Sequence, residues 1–364
     1  MPAMPESSGQ LCLSEEEVDY IRVHERAEHM PALPAGPFVR LDDGSLVSVT
    51  GHPGQLHFSA DEGESWITRP LLPSDDHTDA APTGALLKTD EGTLIVAFAN
   101  VAQGHWTWDD ELKDAPGACL PTCVMRSLDG GETWEDLQTL HGEWTGATRD
   151  IIQLNNGRII FTTMKMQHTP GRHSVMSYCS DDDGATWQPS NVLDLGGNGH
   201  HDGVTESSIL ELRDGRILKY MRTNWGQLWR AISHDEGETW QAYGPTGIPS
   251  SSTPPLLKRL ARGQILLLWN RPVPEEEDDY PLRGGDGVWS ATPASNFRAE
   301  LSMSFSDDEC ETWSPPVVIA RSEHEEKRPE VCYPYAFEVE PGKLWITAHR
   351  WDLRMRLNVE DFIG

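Results

Sequence analysis

Six stretches of the chain share one pattern of positions: an apolar run, a short polar turn with glycine near its end, and a second apolar run. They are "GPFVRLDDGSLVSVTG" (36–51), "GALLKTDEGTLIVAFAN" (84–100), "RDIIQLNNGRIIFTTMK" (149–165), "ESSILELRDGRILKYMR" (206–222), "PPLLKRLARGQILLLWNR" (254–271) and "YPYAFEVEPGKLWITAHR" (333–350). Runs of this length with turn residues between them predict β-hairpins. The first five are each followed by a near-copy of one octapeptide: "SADEGESW" (59–66), "SLDGGETW" (127–134), "SDDDGATW" (180–187), "SHDEGETW" (233–240) and "SDDECETW" (306–313). A hairpin plus the two strands flanking its octapeptide makes a four-stranded unit. Six such units predict an all-β protein, a six-bladed β-propeller over 31–364. The sixth unit ends in "LRMRLNVEDFI" (353–363) with no octapeptide, so its missing strand is expected from the N-terminus, closing the ring. Residues 1–30 read as an extension in which "LSEEEVDYIRVHE" (13–25) forms a short helix, with Ser14 as N-cap and Glu17 completing a capping box.

The octapeptide, S-x-D-x-G-x-T-W, is turn chemistry. Its Asp can accept nearby backbone N–H bonds, its Gly supplies a positive φ, its hydroxyls close local bonds, and its Trp plugs what lies beneath. Each copy is therefore expected to staple a β-turn rather than to catalyse. In the fifth, Cys310 stands where the others have Gly, so that turn is expected either to tolerate a side chain or to be slightly strained.

Strand order assigns function to one face. The start of a blade's first strand and the end of its second share one end of the ring, the top, while the octapeptides lie at the other. Read in register before each hairpin Gly, the top positions are Gly36, Gly84, Arg149, Glu206, Pro254 and Tyr333; second-strand ends add Lys165, Arg222, Asn270, Arg271, His349 and Arg350. An Arg, a Glu and a Tyr converging on one axis beside further Arg is a candidate site. Long top connections in blade two (100–121) and blade five (272–297) are where a rigid scaffold builds binding surfaces.

Composition narrows the partners. A formal net charge of −29 excludes nucleic acid and anionic membrane as expected partners, and no apolar run is long enough for a membrane helix. The first residues, "MPAMPESSGQLCLSEEEV", show neither a basic nor an apolar leader segment, so a cytoplasmic location is expected. The six cysteines (Cys12, Cys119, Cys123, Cys179, Cys310, Cys332) read as free thiols, with no zinc-type spacing. Neither a metal nor a cofactor is expected, and "EEEDDY" (275–280) reads as a solvated loop.

With these residues in view, the chain resembles the sialidases (neuraminidases), six-bladed propellers whose repeated octapeptide is the Asp-box. Glu206 followed sixteen residues later by Arg222 looks like the family's fourth-blade segment. By that resemblance Tyr333 is the nucleophile, Glu206 polarises it, and Arg222 and Arg298 belong to a triad that grips the substrate carboxylate. A neutral Tyr suits an anomeric carbon that carries a carboxylate and would repel an anionic nucleophile, and arginines suit bidentate carboxylate binding. Two family positions differ here: Gly36 holds the place of the first-blade Arg, and "VTGHPGQLHFS" has no acid/base Asp. Arg149 is the candidate replacement guanidinium, and Asp202, His201 or His200, in "GNGHHDGVTE", the candidate acid; Arg271, His168 and His173 complete the set. The resemblance implies an exo-acting glycoside hydrolase that takes a terminal acidic sugar. The alternatives are a propeller polysaccharide lyase using His and Tyr on a uronate, or a carbohydrate-binding propeller without turnover.

Overall fold

The computed structural model describes residues 20–51, 54–72, 77–323, 330–348 and 353–363. Within them, six antiparallel sheets of four or five strands form the blades. Blade one is Phe38–Arg40, Leu46–Thr50, Gln55–Ser59 and Ile67–Pro70, and blade two is Ala80–Lys88, Leu94–Asn100, Cys119–Ser127 and Glu135–Glu143. Blade three is Thr148–Gln153, Ile159–Gln167, Arg172–Ser180 and Gln188–Pro189, and blade four is Val204–Glu211, Ile217–Thr223, Gln227–Ser233 and Gln241–Pro249. Blade five holds Leu256–Arg259, Ile265–Trp269, Glu300–Ser306 and Val317–Ser322, and blade six Pro334–Glu340, Lys343–Ala348 and Arg354–Asn358.

The missing sixth-blade strand does come from the N-terminus: Ala27–His29 pairs with Arg354–Asn358, Ala27 opposite Leu357. The preceding strand, Ile21–Val23, adds a fifth strand to blade five, Ile21 opposite Ser322. This corrects the helix expected over 13–25. Residues 13–19 lie outside the described residues, and 21–23 are a strand. A partner edge outweighs local helix propensity, because Ile21 buries its side chain on blade five while Arg22 points outward. The ring therefore begins before residue 31.

Apolar clusters fill the seams between successive blades. Leu94, Val96 and Phe98 meet Val47 and Leu56 between blades one and two, and Ile160 and Val175 meet Ile209 and Met221 between three and four. Phe38 and Leu46 meet Trp345 where the ring closes.

The octapeptides act as staples. In the second copy Ser127 Oγ donates to Asp129 Oδ1 at 2.8 Å and accepts from Gly131 N at 2.8 Å, while Thr133 donates its N–H and hydroxyl to the same carboxylate at 2.8 and 2.6 Å. Those bonds hold the Asp129 carboxyl down at about 2. Gly237 of the fourth copy lies so close to blade three that a Cβ there would stand 2.6 Å from Ile160. Each staple of this kind clasps its blade to the one before. Of the two alternatives at Cys310, the strained one fits: it adopts φ 69, in the left-handed region that favours Gly.

Register separates staples from chemistry. Ile217 pairs with both Glu211 and Ser233, so hairpin turn and octapeptide share one end of blade four. Val204 pairs with Thr223 at the other end.

Candidate active site

That other end brings Glu206, Arg222, Arg298 and Tyr333 together. Glu206 projects from the first strand of blade four and Arg222 from the second; Arg298 precedes the third strand of blade five, and Tyr333 precedes the first strand of blade six. The Tyr333 hydroxyl donates to Glu206 Oε1 at 3.0 Å. Arg222 Nη1 donates to Glu206 Oε2 at 2.8 Å and to the Tyr333 oxygen at 3.3 Å. Arg298 lies beside the Tyr333 ring, 5.9 Å from its centroid, and donates Nη1 to Glu330 at 3.3 Å. Tyr333 itself sits at φ 60, a left-handed conformation that a bulky residue adopts only where its surroundings enforce it.

Burial alone would raise the Glu206 carboxyl. The Arg222 guanidinium and the hydrogen bonds from Tyr333 and Arg222 outweigh it and hold the group at about 2, so it is a carboxylate. Tyr333 is pushed up, first by burial and then by the Glu206 charge, against the pull of Arg222 and Arg298. The resting pair is thus an ionised Glu accepting a hydrogen bond from a neutral phenol.

Arg149 is buried beneath this pair. Its guanidinium stacks 4.4 Å from the Tyr335 ring centroid and 5.6 Å from that of Tyr333, and Nη2 donates to the Pro334 carbonyl at 2.6 Å. It therefore braces the floor under Tyr333. Gly36 cannot carry a first-blade arginine in this packing, since a Cβ there would stand 2.8 Å from Tyr335 Cβ.

The other nominated residues part company with the centre. Asp202 is fully buried and spends its carboxylate on backbone N–H groups, Gly203 at 2.8 Å, Ala291 at 2.9 Å and Asn198 at 3.0 Å. In this setting it staples the loop. Asp202→Asn turns one acceptor towards an N–H, and a loss of about 1–3 kcal/mol in unfolding free energy is expected by urea titration. His201 packs on Trp289 with ring centroids 5.6 Å apart and hydrogen-bonds through Nδ1 to His200 Nδ1. Desolvation of the ring and the Arg222 charge lower its pKa, so it carries no spare proton at neutral pH; His200 is lowered as well, first by burial and then by Arg283. His173, at 5% exposure, donates Nε2–H to the His200 carbonyl at 2.8 Å, and burial lowers it to about 4; it supports the loop from below. Arg271 lies among blade-five carboxylates, 3.5 Å from Glu275 and 3.7 Å from Glu300. His168 Nδ1 bonds Asp114 at 2.9 Å on the blade-two side, and Lys165 pairs with Glu143 at 2.7 Å. His349 and Arg350 lie outside the described residues.

Three residues of the centre carried no sequence signal: Ser252, Asn224 and Glu330. The segment "SSST" at 250–253 reads as a linker, and its role depends on where its backbone and hydroxyl point. Among the described residues no group of three or more His, Cys, Asp or Glu is arranged to hold a metal ion, and none of the described helices is long and apolar enough to cross a membrane.

Comparison with known proteins agrees with the fold. The family model described as a BNR repeat-like domain matches residues 55–346. A sialidase of Micromonospora viridifaciens is 27% identical over 210 residues, a match that takes in 50% of this chain and 31% of the relative. Among solved structures, a protein of unknown function from Dyadobacter fermentans superposes with a TM-score of 0.62 at 19% identity, covering 93% of this chain and 98% of its own. The NanB sialidase of Streptococcus pneumoniae gives 0.60 at 13% identity, with 96% and 73% covered. The intramolecular trans-sialidase of Ruminococcus gnavus gives 0.54 at 14%, with 91% and 96% covered. The fold shared with these structures is the six-bladed propeller.

Proposed function

This chain belongs to the BNR repeat-like domain family, and on that footing we propose that it is a sialidase-like glycoside hydrolase that removes a terminal acidic sugar. The observation that carries the reading is the Tyr333 hydroxyl held 3.0 Å from an ionised Glu206, with two arginines against the same pair. Arg222 and Arg298 bind the sugar carboxylate and aim the anomeric carbon at the Tyr333 oxygen. As that oxygen bonds to carbon its proton becomes acidic, and Glu206 accepts it, so a low ground-state basicity suffices. The bond to the leaving group breaks and that group departs as its oxyanion, giving an aryl ketal between the sugar and Tyr333. Water then attacks the anomeric carbon and loses a proton to solvent, which also protonates the departed oxyanion, while Glu206 returns its proton to the departing Tyr333 phenolate. Arg149 keeps the Tyr333 backbone in its left-handed setting throughout.

Of the nominated acids, the His200 and His201 rings are lowered by burial and hold no spare proton at neutral pH, and the Asp202 carboxyl is engaged by three backbone N–H groups. The leaving group must therefore depart with little help. Rates are expected to fall steeply as its basicity rises, aryl oxides leaving well and sugar alkoxides poorly. A plot of log kcat/KM against leaving-group pKa checks this, and a flat line contradicts it.

A second reading, a carbohydrate-binding propeller without turnover, is favoured by the closed first-blade position at Gly36. Aryl glycosides of sialic, related ulosonic and uronic acids separate the readings. Release of the phenol from an acidic glycoside supports the hydrolase. Binding without release favours the binder, and an unsaturated product absorbing in the near ultraviolet indicates elimination.

A further inference from the structure

Ser252 joins the two arginines of the site. Arg222 Nε donates to the Ser252 side-chain oxygen at 3.1 Å, and Arg298 Nη2 donates to the Ser252 carbonyl at 3.1 Å. The residue is 1% exposed and its backbone is fixed from blade five, its N–H donating to the Ser295 carbonyl at 2.8 Å. Its hydroxyl proton is also committed, donated to Asn224 Oδ1 at 2.6 Å. Asn224 in turn donates Nδ2 to the His201 carbonyl at 2.9 Å, which ties it to the loop over blade four.

The donor count explains why this matters. A guanidinium has five N–H groups in a rigid plane. With Arg222 Nη1 turned to Glu206 and Tyr333 and Nε turned to Ser252, the plane is fixed and the remaining Nη2 edge is left for a ligand. Arg298 is likewise anchored, through Nη2 on the Ser252 carbonyl, through Nη1 on Glu330 and through Nε on Asn296 Oδ1 at 3.0 Å. One buried serine thus touches both a blade-four and a blade-five guanidinium.

We propose that Ser252, oriented by Asn224, is a positioning residue that converts Arg222 and Arg298 into a two-arginine clamp selective for a planar carboxylate. This rests on the acidic-sugar reading above. The clamp supplies through geometry some of what a third arginine would supply through charge, since Gly36 offers no guanidinium at its position.

The test compares wild type, Ser252→Ala and Ser252→Thr. Calorimetry measures affinity for whichever free acid of the panel wild type binds best and for its carboxamide. A second readout is hydrogen exchange at the Arg222 Nε–H by NMR. Ser252→Ala is expected to weaken the acid by roughly tenfold, to leave the carboxamide within about twofold, and to lose Nε–H protection; Ser252→Thr restores all three. Equal losses for acid and carboxamide, or no change in either, overturn the proposal while leaving the acidic-sugar reading standing. If wild type binds no acid, that reading falls instead. The exchange measurement then decides the anchoring role by itself, protection unchanged in Ser252→Ala overturning it.

Discussion

Tyr333→Phe is expected to lower kcat on a nitrophenyl glycoside of an acidic sugar by roughly 10³-fold or more while leaving affinity for the free acid nearly unchanged. The phenyl ring keeps its place between Arg149 and Arg298; only the hydroxyl proposed as nucleophile is lost. Glu206→Gln is expected to fall comparably in rate, but for two combined reasons. It removes the proton acceptor, and it leaves Arg222 without the carboxylate that meets it at 2.8 Å in a buried setting. An uncompensated buried charge costs about 3–5 kcal/mol, so this variant should also unfold at lower urea. Tyr333→Phe should not. Steady-state kinetics beside urea titration separates the chemical loss from the structural one. A binder without turnover would show neither a kcat to lose nor a Tyr333 effect on affinity.

The second large effect is on stability below neutral pH. Burial lowers His57, His141 and His173 to about 4 each, against about 6.5 in an unfolded chain. Well above pH 6.5 all three are neutral in both states and contribute nothing. As pH falls through 6.5 the unfolded chain takes up protons that the folded ring refuses, so folding stability declines until the folded groups titrate near 4. Each contributes about 1.4 kcal/mol per pH unit over that window, or about 4 kcal/mol per unit together. The melting temperature should drop by on the order of 10 °C between pH 6.5 and 4.5. His173→Gln should remove about a third of what these three groups contribute to the slope. A melting temperature constant across that window contradicts the assignment of these groups as buried and neutral. Glu206 extends the loss to lower pH. Its carboxylate is depressed to about 2, so its stabilisation is complete above the usual carboxylate range and disappears as pH falls from there towards 2.

The architecture was legible because propeller blades are local. Each octapeptide forms its own staple from residues within four positions, as Ser127, Asp129, Gly131 and Thr133 do, and each hairpin pairs neighbours in sequence. The register argument that put Glu206, Arg222 and Tyr333 at one end needed no side-chain detail. What escaped was everything decided by a distant partner. Ile21–Val23 has a capping-box sequence upstream, yet the open edge of Val317–Ser322 makes it a strand. Asp202 and His201 carry the right functional groups in the right loop. Three backbone N–H donors commit the first, and desolvation neutralises the second. Arg271 and Arg222 end equivalent second strands; blade-five carboxylates hold one, and Glu206 with Tyr333 holds the other. Ser252 acts partly through its carbonyl, which every residue has, so no residue pattern could have marked it.

The central claim is that the Tyr333 oxygen forms the bond to the sugar. A slow-reacting fluorinated acidic sugar with a good leaving group, chosen from whichever class is turned over, should accumulate on the protein. Peptide mass spectrometry after brief reaction is expected to find one added glycosyl group on the peptide containing Tyr333, absent from Tyr333→Phe. A protein that turns over the parent glycoside yet carries no adduct, or carries it on Glu206, would contradict the mechanism.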